Sequence, residues 1–167
     1  VSQVSGHVGP NLGVAELTIA FHHVFDSPKD KIVWDVSHQS YPHKILTDRK
    51  HGFVDKENFD SVTGYTSQHE SEHDFFTVGH TSTSISLAVG MAKARDLKKE
   101  TGNVVALIGD GSLSGGLAFE GLNNAAELGS NLIIIVNDNE MSIDENFGGL
   151  YRSLAELRAT NGEAANN

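Results

Sequence analysis

Two short polar segments hold the residues best placed to do chemistry. Gly109, Asp110 and Gly111 end the apolar run "NVVALIGDG" (103–111), and Asn137, Asp138 and Asn139 end the run "NLIIIVNDN" (131–139). A carboxylate from Asp110 and an amide oxygen from Asn139 suit a hard cation. Two side chains are too few for Ca²⁺, which takes six to eight oxygens, but they suit Mg²⁺, which completes its octahedron with phosphate oxygens and water. The implied ligand is therefore phosphorylated. Gly111, Ser112, Ser114, Gly115 and Gly116 follow directly. Glycines let backbone N–H groups approach an anion, and a helix starting near Ser114 would aim its positive end at the same place. Either segment alone is an ordinary turn closing a strand; both on one strand–helix–strand unit make a site.

The elements that must position them follow from the pattern of apolar residues. Residues 103–111 and 131–139 read as strands, and "SGGLAFEGLNNAAELG" (114–129) reads as the helix between them. Such a βαβ unit makes its strands parallel and its crossover right-handed. Runs of branched apolar residues further predict strands buried on both faces. The fold class is α/β, a mostly parallel sheet with helices on both faces, and ligands of such sheets sit beyond the carboxyl ends of the strands. Upstream, the spacing predicts a helix over 11–25, a strand over 31–36 and a short helix opened by Pro42. Residues 48–74 lack a regular period and read as a long loop. A strand over 75–80 and a helix over 82–100 complete the series, the helix showing Ile85, Ala88, Val89, Ala92 and Leu97 on one face.

The 167 residues fit one domain, 1–167, with one core. The formal charge of −10 and scattered Lys and Arg argue against nucleic acid and anionic membrane as partners. There is no cysteine, so no disulfide framework or thiolate metal site, which is compatible with a reducing cytosol. No stretch approaches a membrane span, and the N-terminus lacks the order of a signal peptide, so a cytoplasmic location is expected. The chain begins at Val1, and Thr160 and Asn161 precede Glu163 as if to cap a helix that does not arrive; a fragment of a longer protein is expected.

The pairing of "GDG" with "NDN" resembles the diphosphate-binding motif of thiamin diphosphate enzymes. The segments "SGHVGPNLGVAELTIAFHHVF", "WDVSHQSYPHKILTDR", "VGHTSTSISLAVGMAKARD", "GDGSLSGGLAFEGLNNA" and "NDNEMSI" resemble, in order and spacing, the N-terminal diphosphate-binding domain of the 1-deoxy-D-xylulose-5-phosphate synthases, relatives of transketolase. The resemblance covers nearly the whole chain. It implies a thiamin diphosphate-binding, transketolase-like fold in a homodimeric transferase of isoprenoid and thiamin biosynthesis. The implied reaction condenses pyruvate with glyceraldehyde 3-phosphate and releases CO₂. It also implies roles for particular residues. Asp110, the side chain of Asn139 and the carbonyl of Met141 would ligate Mg²⁺. Gly111 and Ser112 would touch the diphosphate; His38, Gly79, His80 and Thr81 would contact the cofactor; His7 would lie near the reacting carbons. Ser37 departs from the family, which usually has glycine there. The carboxylate that activates the cofactor's pyrimidine comes from a second domain in this superfamily and matches nothing here. The chain alone is therefore expected to be inactive, as a fragment or one subunit of a split enzyme.

Among nine histidines, His7, His38 and His80 adjoin Gly, Ser or Thr at strand ends or loops, where functional side chains concentrate. His22, His23, His51 and His69 read as ordinary surface or core residues, and His43 as a packing residue. Three other readings compete. "HESEH" (69–73) satisfies the H-E-x-x-H pattern of zinc peptidases, with Glu70 as general base, but that pattern needs a helix and the flanks show none. "GDGSLSGG" fails the dinucleotide fingerprint, since its sixth position is Ser114 and Asp138 lies too far along for the ribose carboxylate. A non-catalytic module of the same fold would leave the metal pair without a task.

Overall fold

The computed structural model describes residues 6–138, 148, 149, 151, 152 and 156. Three parallel strands, β1 (Lys31–Trp34), β2 (Val104–Gly109) and β3 (Leu132–Asn137), form one sheet in the order β1-β2-β3. Trp34 lies in register with Leu107, and Leu107 with Ile135. The expected α/β class holds, with helices on both faces. On one face α5 (Ser84–Lys98) and α7 (Gly116–Leu128) enclose Val33, Ile85, Ala88, Ala92, Ala106, Ile108 and Ala118. On the other, Phe21 of α2 (Ala15–Val24) covers Ile32, Trp34, Val105 and Leu107. Alternate residues of β2 thus feed different cores, as the two-residue period of a strand requires.

Small residues set the spacing of the first layer. A Cβ added at Gly121 would lie 2.9 Å from Ser86 Oγ and 3.0 Å from Ile85 Cγ2, so α5 and α7 pack closer than any side chain at 121 would allow. The helix spacing of Ile85, Ala88 and Ala92 gives the buried stripe of α5.

Several expectations change in detail. Residues 11–25 do not form one helix: α1 (Val8–Leu12) and α2 are separated at Gly13 and Val14. "FFTVGH" (75–80) forms no strand, because none of its backbone joins the ladder. β2 is buried throughout Val104–Ile108, but β3 is only half-buried and Val136 is exposed. Burial on both faces therefore fails for β3, which takes a neighbour on one side only among the described residues.

The irregular stretch after β1 is more ordered than its composition implies. The helix α3 (Tyr41–Lys44) runs into a wide turn kinked at Thr47 and Asp48, followed by α4 (His51–Val54) and a 3₁₀ turn (Lys56–Ser61). Ion pairs tie it down: Lys44 Nζ reaches Glu70 at 2.6 Å, and Arg49 reaches Asp74 at 2.6 Å and 2.9 Å. Among the described residues, no helix is long and apolar enough to cross a membrane. The expected capping by Thr160 and Asn161 lies outside the described residues.

Candidate functional site

The carboxyl end of β1 organises the site. Asp35 follows Trp34 and is buried. Its two carboxylate oxygens accept hydrogen bonds from the backbone N–H groups of Ser82 (2.8 Å) and Ser84 (2.9 Å). An anion there meets two unpaired donors at the start of α5, where the helix dipole also favours it. Gln39 Nε2 donates to the Asp35 carbonyl at 2.9 Å. Between them, Val36 (φ 55°) and Ser37 (φ 70°) both take the left-handed conformation. The buried Ser37 hydroxyl donates to the Val78 carbonyl (3.1 Å) and accepts from the Thr66 N–H (2.9 Å). The turn carrying His38 is thereby held to two distant segments.

His38 is half-buried, and its Nδ1 has no hydrogen-bond partner among the described residues although it is shielded from solvent. Burial pushes its pKa below the usual histidine value, the neighbouring His7 adds to that, and Asp35 opposes it. The His7 ring meets the His38 ring edge to face, with centroids 5.1 Å apart and planes at 77°. Tyr65 lies 6.1 Å from His7 on another side, and Gly79 sits against the Tyr65 ring. His7, His38 and the turn at 79 thus share one surface.

The segment 79–82 reaches the second half of the site. His80 is exposed and its Nδ1 lies 2.8 Å from the Thr81 carbonyl, while Thr83 Oγ1 donates to the His80 carbonyl at 3.0 Å. Ser82, at φ 67°, donates its hydroxyl to the Ser112 carbonyl at 2.6 Å. A Cβ at Gly115 would fall on that hydroxyl, so glycine is required where the two turns touch. Asp110 opens α6 (Asp110–Leu113) directly after β2 and is buried, and its carbonyl accepts from Tyr151 Oη at 2.8 Å. Gly111 and Ser112 lie in the same turn, with Ser114 Oγ donating to the Gly111 carbonyl at 2.8 Å.

Gly109 pairs in register with Asn137, so Asp110 and Asp138 leave neighbouring strands at the same edge. Asn139 and Met141, the other two expected Mg²⁺ ligands, lie outside the described residues. No three His, Cys, Asp or Glu side chains among the described residues are grouped so as to hold a metal.

The zinc-peptidase pattern has no helix. Residues 69–73 form turns; Glu70 is held by Lys44, by the Thr63 N–H at 2.7 Å and by Arg49 at 3.4 Å, and His73 Nδ1 lies 2.9 Å from Ser27 Oγ. His22 is a hydrogen-bonded, half-buried residue, one of the two settings expected for it. Its Nε2 lies 2.9 Å from His43 Nδ1, and His43 Nε2 lies 3.0 Å from Asp74 Oδ1. Burial first, then the neighbouring His43 and His73, push the His22 pKa down to about 4. His43 is likewise lowered, chiefly by burial. Against its own burial, hydrogen bonds from His43, Arg49 and Ser67 hold Asp74 well below the usual carboxylate range.

The family model described as 1-deoxy-D-xylulose-5-phosphate synthase matches residues 1–166. This chain belongs to that family. It is 58% identical over 158 residues to the 1-deoxy-D-xylulose-5-phosphate synthase of Desulforudis audaxviator, covering 95% of this chain and 25% of that protein. It is 58% identical over 157 residues to the synthase of Carboxydothermus hydrogenoformans (94% and 25%). With that of Brevibacillus brevis it is 52% identical over 160 residues (96% and 26%). The chain spans about a quarter of the length of these synthases.

Within this member of the synthase family, sequence reasoning missed Asn11, Asp35 and Ser82. Asn11 is buried beside the histidine pair: its Nδ2 donates to the carbonyls of His7 (2.6 Å) and His38 (2.8 Å), and its Oδ1 accepts from the Tyr41 N–H (2.8 Å). The partners of these three residues are mostly 27 to 49 positions away, beyond the reach of any local pattern.

Proposed function

We propose that this chain supplies the diphosphate- and Mg²⁺-binding part of a thiamin diphosphate-dependent transferase. The reaction joins pyruvate to glyceraldehyde 3-phosphate with loss of CO₂, giving 1-deoxy-D-xylulose 5-phosphate. The observation that carries the proposal is the register of Gly109 with Asn137. It starts "DG" and "DN" from the same sheet edge, with a buried Asp110 at the head of a glycine-rich turn. The glycines flanking α6 support the same reading. Among the described residues, a Cβ at Gly109 or at Gly116 would meet nothing within 4 Å, which leaves backbone on both sides of α6 open to a ligand. Nearby, His38 presents a shielded nitrogen without a partner among the described residues, as a residue awaiting a ligand would.

On this reading Asp110, the Asn139 amide and the Met141 carbonyl hold Mg²⁺, the first supplying charge and the others neutral oxygens. Gly111 and Ser112 bind the diphosphate, and His38, Gly79, His80 and Thr81 line the cofactor. When bound, thiamin diphosphate supplies the electron sink for decarboxylation and carbon–carbon bond formation. His38, lowered by burial, stays uncharged at neutral pH and offers a neutral donor or acceptor. His7, exposed at the rim, lies near the reacting carbons on this reading. The parent enzyme acts on small molecules in the cytoplasm as a homodimer. A second, pyrimidine-binding part completes catalysis, consistent with the quarter share of its relatives that this chain spans.

Calorimetry with thiamin diphosphate and Mg²⁺ tests the assignment. Asp110→Ala should abolish Mg²⁺-dependent binding, because only a neutral amide, a carbonyl and water would remain for the metal. Equal affinity in the variant and the parent chain would refute it.

A further inference from the structure

We propose that Asn11 is a positioning residue that fixes the His7–His38 pair through their backbone carbonyls. Nothing in the motifs singles it out, yet its side chain joins both histidines: Nδ2 spans the two carbonyls at 2.6 Å and 2.8 Å. Its oxygen takes the Tyr41 N–H at 2.8 Å, and Tyr41 Oη accepts from the His7 N–H at 3.4 Å. A planar amide with two donors and one engaged acceptor allows little rotation. The carbonyls of His7 and His38 are therefore held a fixed distance apart, and the rings they carry meet edge to face at 5.1 Å.

The need for such a device follows from where His7 sits. It precedes the five-residue helix α1, whose start has no side-chain cap. A helix this short has little stability of its own, so the orientation of His7 depends on tertiary anchors. Asn11 lies one turn along that helix and looks back to His7, while its other proton fastens the turn to the loop after β1. Its role is to keep His7 over His38 before any ligand arrives, which lowers the cost of ordering the site on binding. The functional meaning of the pair rests on the cofactor assignment above; the clamp itself can be tested without cofactor.

The experiment is histidine-detected NMR of the chain, with His7 and His38 assigned by His7→Gln and His38→Gln. The charged or titratable groups acting on His38 are His7 and Asp35. In the parent chain the His38 midpoint should lie below the usual histidine value and rise in His7→Gln, because a like-charged neighbour is removed. In Asn11→Ala the His38 midpoint should move toward 6.5 and stop responding to His7→Gln. The His22 midpoint, near 4 through burial and the neighbouring His43 and His73, neither of which bonds to Asn11, should stay in place and so report an intact fold. A purely structural role would lower the melting temperature and leave the coupling unchanged, and that result overturns the proposal. Should Asn11→Ala lose the His22 signature, Asn11→Ser, which keeps one short donor, decides: coupling retained there also overturns it. Calorimetry then adds a separate arm. Thiamin diphosphate should bind Asn11→Ala about 10-fold or more weakly if orientation of the pair matters to the ligand. No binding even to the parent chain would count against the cofactor assignment and leave the clamp standing on the NMR result.

Discussion

Replacing Ser37 by alanine and, separately, by glycine sets two opposing terms against each other. The residue is fully buried at φ 70°, a conformation that costs a residue with a Cβ about 1–2 kcal/mol. Its hydroxyl also bridges Val78 and the buried Thr66. Each such bond is worth about 1 kcal/mol net, and more where a buried N–H is left without a partner. Ser37→Ala keeps the strain and loses both bonds, so it should destabilise the chain by about 2–3 kcal/mol. Ser37→Gly loses the same bonds but relieves the strain. Against that relief stands about 0.4–1 kcal/mol from the freer unfolded chain. The glycine variant should therefore be about 1 kcal/mol more stable than the alanine variant, and both weaker than the parent. Urea unfolding with equal slopes for all three chains measures this directly. An alanine variant as stable as the glycine variant would mean that position 37 is not left-handed in solution. A glycine variant more stable than the parent would mean that the hydroxyl bridge contributes less than the strain.

The histidine chain beside Asp74 makes stability depend on pH. His22 is neutral in the fold down to about pH 4, whereas in the unfolded chain it takes up a proton near 6.5. The unfolded state thus binds more protons between these values, so stability is complete above about pH 6.5 and falls progressively as pH drops toward 4. His22 is half-exposed, and with solvent screening the loss should be on the order of 1 kcal/mol; urea midpoints at pH 7 and pH 5 should differ, and His22→Gln should shrink the difference. No change of the slope in His22→Gln would show that His22 is not the group responsible. Asp74→Asn should cost about 3–5 kcal/mol in a denaturant titration, because it leaves the buried Arg49 and His43 without their carboxylate. A loss under about 1 kcal/mol would mean that this ion pair is solvated in solution.

How much was legible in the residues differs between backbone pattern and side-chain partnership. Two apolar runs and the helix between them were enough for the parallel pair β2 and β3 and for the arrival of Asp110 and Asp138 at one edge. Strand period and βαβ chirality are local properties, so the chain writes them in consecutive residues. The run at 131–139 also shows the limit of such reading. Its composition matches that of β2, yet β3 is half-buried, because burial depends on what lies beside a strand and not on the strand. In the same way "FFTVGH" has the composition of a strand and no ladder to join.

The site divides along the same line. The proposed site residues Asp110, Gly111, Ser112, His38 and the 79–81 turn were named from residue type and from the family resemblance, since the proposed chemistry needs a carboxylate, a glycine or an imidazole at a set place. Asn11, Asp35 and Ser82 could not, nor could the bridging role of Ser37, because each acts through hydrogen bonds to segments far along the chain. A polar side chain in the sequence looks the same whether water or a distant backbone group satisfies it. Only folding removes the water, and only then does a buried Asp35 have to find the N–H groups at the head of α5.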